Sequence, residues 1–114
     1  MIYARFLYDK RRRRARLELL GHAATAPRGE DLVCAGVSAL ALTMGKTAQL
    51  LYSRGLLQRP PKVQLENGNA LIIASARPGC EAEMLMSFWT VQVGIANLSQ
   101  LYPQALTLER VLRV

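Results

Sequence analysis

The stretch GHAATAPRGEDLVCAGVSAL, residues 21–40, holds the chain's one histidine, His22, and one of its two cysteines, Cys34. A thiolate attacks a carbonyl carbon, and an imidazole, which titrates near neutral pH, carries the proton that a leaving amine needs. A helical pattern starts at Glu30 or Asp31, so Cys34 falls in a first turn, where the helix field is positive and favours the thiolate. Backbone N–H groups of a first helical turn lack intrahelical acceptors and are candidates for an oxyanion hole. Gly21 and Gly29 bracket the loop and let it bend. Residues 23–30 carry few apolar anchors and are expected to be mobile and to close when a peptide binds. Each residue also has a plainer reading. Cys34 can be inert core, His22 a loop residue, Asp31 an N-cap or first-turn acid, and Ser38 a tolerated small residue. Cys80, beside Gly79 at another helix start, has no histidine near it in sequence and reads as structural.

The elements around this stretch follow from periodicity. Ile2, Ala4, Phe6 and Tyr8 alternate with Tyr3, Arg5 and Leu7, and ARLELL (15–20) alternates again. The two runs read as a hairpin with DKRRRR (9–14) at its turn. From Asp31 the period becomes helical, with Val33, Val37, Leu40 and Met44 as the apolar stripe and Asp31, Cys34, Ser38 and Ala41 on the other side. Gly45 does not end this helix, since the pattern runs on to Gly55. RPPK (59–62) is a linker, and VQLENGNALIIASA is a second hairpin with a type I′ signal at Asn67-Gly68. A second helix starts near Gly79 or Glu81 and ends before Pro103, striped by Met84, Phe88, Val91, Ile95, Leu98 and Tyr102. Its second apolar face, with Leu85, Trp89, Val93 and Ala96, exceeds what one sheet surface needs and is expected to meet a second copy. ALTLERVLRV is a last strand. The order ββαββαβ predicts an α+β fold, a mostly antiparallel sheet packed against two helices.

A length of 114 residues, about half of them apolar, argues for a single domain spanning 1–114 with one core. Two cysteines make no disulfide framework, and no CxxC or Cys/His cluster suggests a metal, so reduced thiols in a cytoplasmic protein without a cofactor are expected. The N-terminus has no signal-peptide pattern. Residues 84–108 are uncharged and long enough for a bilayer, but Gln92, Asn97, Ser99, Gln100 and Pro103 break the run, so no membrane span is expected. Fifteen Lys and Arg against eight Asp and Glu leave a net charge of +7, which favours acidic partners such as RNA or a ribosome surface without identifying one.

The motif Gly21-His22-Ala23, Gly29, Asp31-Leu32-Val33-Cys34-Ala35-Gly36-Val37-Ser38 resembles that of the ribosomal-processing cysteine protease family, with spacing preserved. Length, both hairpins and the long C-terminal helix before Tyr102-Pro103 agree across nearly the whole chain. The resemblance implies a cytoplasmic, homodimeric cysteine endopeptidase that removes the N-terminal extension of a large-subunit ribosomal protein of the L27 type, cutting after a Phe in an apolar-then-basic sequence. It carries the catalytic pair onto His22 and Cys34 and the supporting or substrate-binding positions onto Gly21, Asp31, Ala35 and Ser38. Asp31 would fix the loop or orient His22, since an anion beside the thiol opposes its ionisation. The chain departs from the family in KRRRR at the first turn, in Gly36 for a frequent alanine, and in the extra Cys80. Arg11, Arg12, Arg13 and Arg14 suggest a weak rRNA or ribosome contact. Two other classes stand beside the protease: a non-catalytic ribosome- or RNA-binding module that uses the basic hairpin, and a redox protein that pairs Cys34 with Cys80.

Overall fold

The computed structural model describes residues 1–21, 32–66 and 68–113. His22, Asp31 and the loop between them lie outside the described residues, as does Asn67 of the second turn. The elements are β1 (Ile2–Asp9), β2 (Arg14–Gly21), α1 (Leu32–Ser53), β3 (Lys62–Glu66), β4 (Asn69–Ser75), α2 (Glu81–Leu101) and β5 (Leu106–Arg113), in the predicted ββαββαβ order.

The strands form one sheet in the order β3-β4-β2-β1-β5. All neighbours are antiparallel except β1 and β5, which run parallel with Ile2 opposite Leu106. Alternation selects one face for the core. Ile2, Ala4 and Phe6 of β1, Ala15, Leu17 and Leu19 of β2, Ala70, Ile72 and Ala74 of β4, and Leu106 of β5 are all buried. Both helices cover that face, and the opposite face carries no helix. The first turn is set by Asp9, whose carboxylate accepts the Arg12 N–H at 3.3 Å, and by Arg13 in a left-handed conformation at φ 51°.

The helices run antiparallel and meet through small residues. A Cβ on Gly36 of α1 would lie 2.9 Å from the Leu98 side chain of α2, and one on Gly94 of α2 would lie 2.8 Å from the Leu40 side chain of α1. Each helix therefore receives a leucine from the other over a glycine. This contact turns α1 relative to the sequence expectation. Leu40 is half-buried against α2, and Ala41, expected on the thiol side, is buried with Val33, Val37 and Met44. Gly45 is buried inside the helix and lets β3 approach, since a Cβ there would sit 2.8 Å from Val63. The helix stops where the sequence places it. Gly55 has φ 78°, its N–H donates to the Tyr52 carbonyl, and the Leu56 N–H donates to the Leu51 carbonyl. That pair of bonds is a Schellman closure.

On α2, Met84, Phe88, Val91 and Ile95 are buried as the stripe predicts, and Phe88 meets Phe6 with ring centroids 5.7 Å apart. Gln92 is buried with them. Its side-chain carbonyl accepts from Arg110 Nε of β5 at 2.9 Å, and the amide nitrogen has no partner in the described structure. Tyr102, placed on the stripe, is exposed because the helix has already ended. At the N-terminus of α2, the Glu81 carboxyl is held below its usual range, chiefly by a hydrogen bond from its own backbone N–H, with one from Gly79 and the Arg13 guanidinium adding to it. Among the described residues no helix is long and apolar enough to cross a membrane.

Candidate active site

Cys34 is the third residue of α1, inside its first turn, as expected from the helical pattern. It is half-buried, packs against the core, and opens on a cleft of about 320 Å³, at the small end for ligand pockets. Four segments build that cleft. The first turns of α1 supply Cys34, Val37, Ser38, Ala41 and Leu42. The ends of β1 and β2 supply Ile2, Leu19 and Gly21, and the hairpin of β3 and β4 supplies Leu65, Glu66, Gly68, Asn69 and Ala70. The floor is apolar, and polar atoms sit at the rim from Ser38, Glu66 and Asn69. A groove of this volume has room for one apolar side chain beside the thiol.

Gly21 closes β2 at the cleft mouth. It adopts φ 98°, a Cβ there would run into the Met1 carbonyl, and its N–H donates to the Gly68 carbonyl at 2.9 Å. A side chain is thus excluded both by conformation and by space. Replacing Gly21 with alanine is expected to lower stability by about 1–3 kcal/mol, read as a shift in the urea midpoint, because strain of this kind persists only where its surroundings enforce it. A midpoint unchanged from wild type would contradict this account of the strand end. The residue after Gly21 in the chain is His22.

The structure therefore brings Gly21, Cys34 and Ser38 to one cleft. Ala35 is exposed on the same helical turn but is not among the lining residues. His22 and Asp31 lie outside the described residues. The cleft's far wall, Leu65, Glu66, Gly68, Asn69 and Ala70, escaped the sequence reading. Asn67-Gly68 signalled a turn, but the arrival of Gly68 and Asn69 at the cleft depends on the pairing of β2 with β4, where Leu20 faces Asn69. That pairing skips over α1 and β3, and local periodicity carries no trace of it.

Neither cysteine is in a disulfide. Cys80 caps the N-terminus of α2, whereas Cys34 lies beside the α2 end that contacts Gly36. From Cys80 to Leu98 the helix rises about 27 Å, far beyond the reach of an S–S bond. An internal Cys34–Cys80 redox couple is excluded. Among the described residues no cluster of three His, Cys, Asp or Glu side chains is arranged to hold a metal.

Among solved structures, the ribosomal processing protease Prp from S. aureus with a covalently linked product peptide matches with a TM-score of 0.74 at 21% identity, over 96% of this chain and 99% of that one. SMU.848 from Streptococcus mutans matches with a TM-score of 0.70 at 24% identity, over 99% and 96% of the two chains. A structure of S. aureus Prp with a substrate peptide gives 0.65 at 16% identity, over 96% and 99%. These likenesses establish a shared fold. No curated protein matches the sequence. The family model described as cysteine protease Prp matches residues 1–107, nearly the whole chain and all of the cleft, and on that match the chain belongs to the cysteine protease Prp family.

Proposed function

We propose that this cysteine protease removes the N-terminal extension of a large-subunit ribosomal protein of the L27 type, with Cys34 as nucleophile and His22 as its acid and base. The observation that carries the reading is the thiol in the first turn of α1, facing a peptide-sized apolar cleft whose rim ends at Gly21, the neighbour of His22. The S. aureus protease Prp, whose fold this chain shares, is a ribosomal processing protease.

The chemistry runs in two steps. The Cys34 thiolate forms a bond to the scissile carbonyl carbon, and first-turn N–H groups of α1 stabilise the negative oxygen. His22, having taken the thiol proton, gives it to the departing amine as the C–N bond breaks. Water then attacks the thioester, His22 takes its proton, and the thiolate leaves. Asp31 orients His22 or fixes the loop. Ser38, one turn beyond Cys34 at the cleft edge, donates a hydrogen bond toward the substrate. Gly21 and Ala35 border the path of the peptide. The apolar floor suits the Phe before the cut, and the Glu66 carboxylate at the rim suits the basic residues next to it. The substrate places this chemistry in the cytoplasm. The direct test is incubation with a peptide carrying the N-terminus of the organism's own ribosomal protein. A new N-terminus after a Phe is the expected product, and an intact peptide overturns the reading.

The outer face of α2 supports a homodimer. Trp89 and Val93 are each more than half exposed, and Leu85 beside them is half-buried. Sedimentation at micromolar concentration is expected to give a dimer, and Trp89→Glu a monomer with the same circular dichroism. A wild-type monomer would remove the dimer and leave the protease reading standing.

A further inference from the structure

The positive charge of this chain is collected at the end farthest from the cleft. The turn between β1 and β2 carries KRRRR (10–14), Arg54 and Arg59 follow α1, and Arg77 precedes α2. Backbone hydrogen bonds hold these three segments as one surface. Ala76 N–H donates to the Arg13 carbonyl at 2.8 Å, Arg77 N–H to Leu56 at 3.0 Å, and Gln58 N–H to Ser75 at 2.9 Å. Eight of the fifteen Lys and Arg therefore stand together, opposed there by Asp9, Glu81 and Glu83. Asp9 lies 4.0 Å from Arg12, and Glu81 lies 3.4 Å from Arg13. Among the described residues Lys10, Arg11, Arg14, Arg54, Arg59 and Arg77 form no salt bridge. On the helix-free face of the sheet, a hollow of about 300 Å³ lined by Arg5, Arg12, Arg14 and Arg16, with Asp9 and Glu18, continues the same surface.

We infer that this pole binds RNA through its phosphates while the cleft handles peptide. Seven of its eight cations are arginines, whose planar fork donates two parallel hydrogen bonds to one phosphate. A nucleic-acid backbone offers phosphates at regular spacing, which suits cations spread along a turn and two flanking segments. The turn itself has no aromatic or aliphatic residue to insert into a bilayer, so a lipid surface would be held by charge alone. From Cys34 to Arg54, α1 rises about 30 Å, so bound RNA does not obstruct the cleft. That the RNA is ribosomal, bringing the protease to its substrate during assembly, rests on the processing reading above. RNA binding itself does not.

The test is fluorescence anisotropy of a short labelled RNA stem-loop titrated with the full chain, from about 50 to about 200 mM salt. The expected dissociation constant lies in the range of about 10⁻⁴–10⁻⁶ M for sequence-independent binding, and it weakens steeply with salt. The double variant Arg11→Gln, Arg77→Gln is expected to bind about tenfold more weakly and to lower the salt slope by about 2. The control Lys46→Glu lowers the charge by the same two units at an exposed position midway along α1, outside both the pole and the cleft lining, and is expected to stay near wild type. Both variants should cleave peptide at the wild-type rate, and Cys34→Ala should bind RNA normally. If no peptide is cut, the processing reading fails while the RNA titration still reports on the pole. Equal losses in the double variant and the control, no binding at low salt, or binding to phosphatidylglycerol vesicles without binding to RNA would each overturn the inference.

Discussion

Cys34→Ala is expected to abolish cleavage and to leave the fold in place. Removing a covalent nucleophile costs on the order of 10⁴–10⁶ in turnover, because the remaining groups act as a unit with it. The fold survives because the site is half-buried and alanine keeps the helix, at a loss of about 1 kcal/mol or less in packing. The same reasoning separates the two thiols. Iodoacetamide near neutral pH should label Cys34 before Cys80, and peptide in the cleft should slow the labelling of Cys34 alone. Cys80 sits at a helix start as well, yet it lies at the far pole, about 27 Å of helix from the cleft, so substrate has no way to shield it. A Cys34→Ala protein that still cuts, or a Cys34 that stays unlabelled, would reduce the family membership to a shared fold without this activity. It would also revive the non-catalytic RNA-binding module, for which substitutions at Arg11 to Arg14 abolish function and Cys34→Ala does not.

Local pattern carried most of the architecture and half of the site. Period-2 alternation in residues 2–8 and the change of period at Asp31 come from single elements with one buried face, and each reads correctly without knowledge of its neighbours. Where the structure departs, two elements share a surface. Leu40 looks like core in the sequence, but Gly94 of α2 gives it a second seat, which rotates α1 and buries Ala41 instead. Gln92 reads as a polar break in the uncharged run of residues 84–108, and its burial is accompanied by a hydrogen bond from Arg110, a residue on a strand that packs beneath the helix. The cleft divides in the same way. Its thiol wall lies in one contiguous motif, residues 21–38. Its opposite wall arrives through a non-sequential strand pairing, so Glu66 and Asn69 gave no signal of their own.

His22→Ala is the sharper test of mechanism, because it leaves the nucleophile present and removes its proton carrier. Expulsion of an amine requires a proton at the nitrogen as the C–N bond breaks, and water supplies it poorly at neutral pH. Turnover is expected to fall by about 10²–10⁴, the range for a general acid–base group. KM should change little, since the apolar cleft residues Ile2, Leu19, Val37 and Leu65, proposed to hold the peptide, are untouched. The pH profile should lose the limb that an imidazole contributes near neutrality, and added imidazole should restore part of the rate. Gly21 makes these readouts separable from a folding defect. The left-handed turn at the end of β2 and the Gly21–Gly68 hydrogen bond are backbone features, and they persist whatever side chain follows. A substitution at position 22 should therefore keep the urea midpoint while the rate collapses. Turnover within about threefold of wild type, below the smallest effect expected of an acid–base group, would show that Cys34 draws its proton carrier from elsewhere and would overturn the pairing of His22 with Cys34.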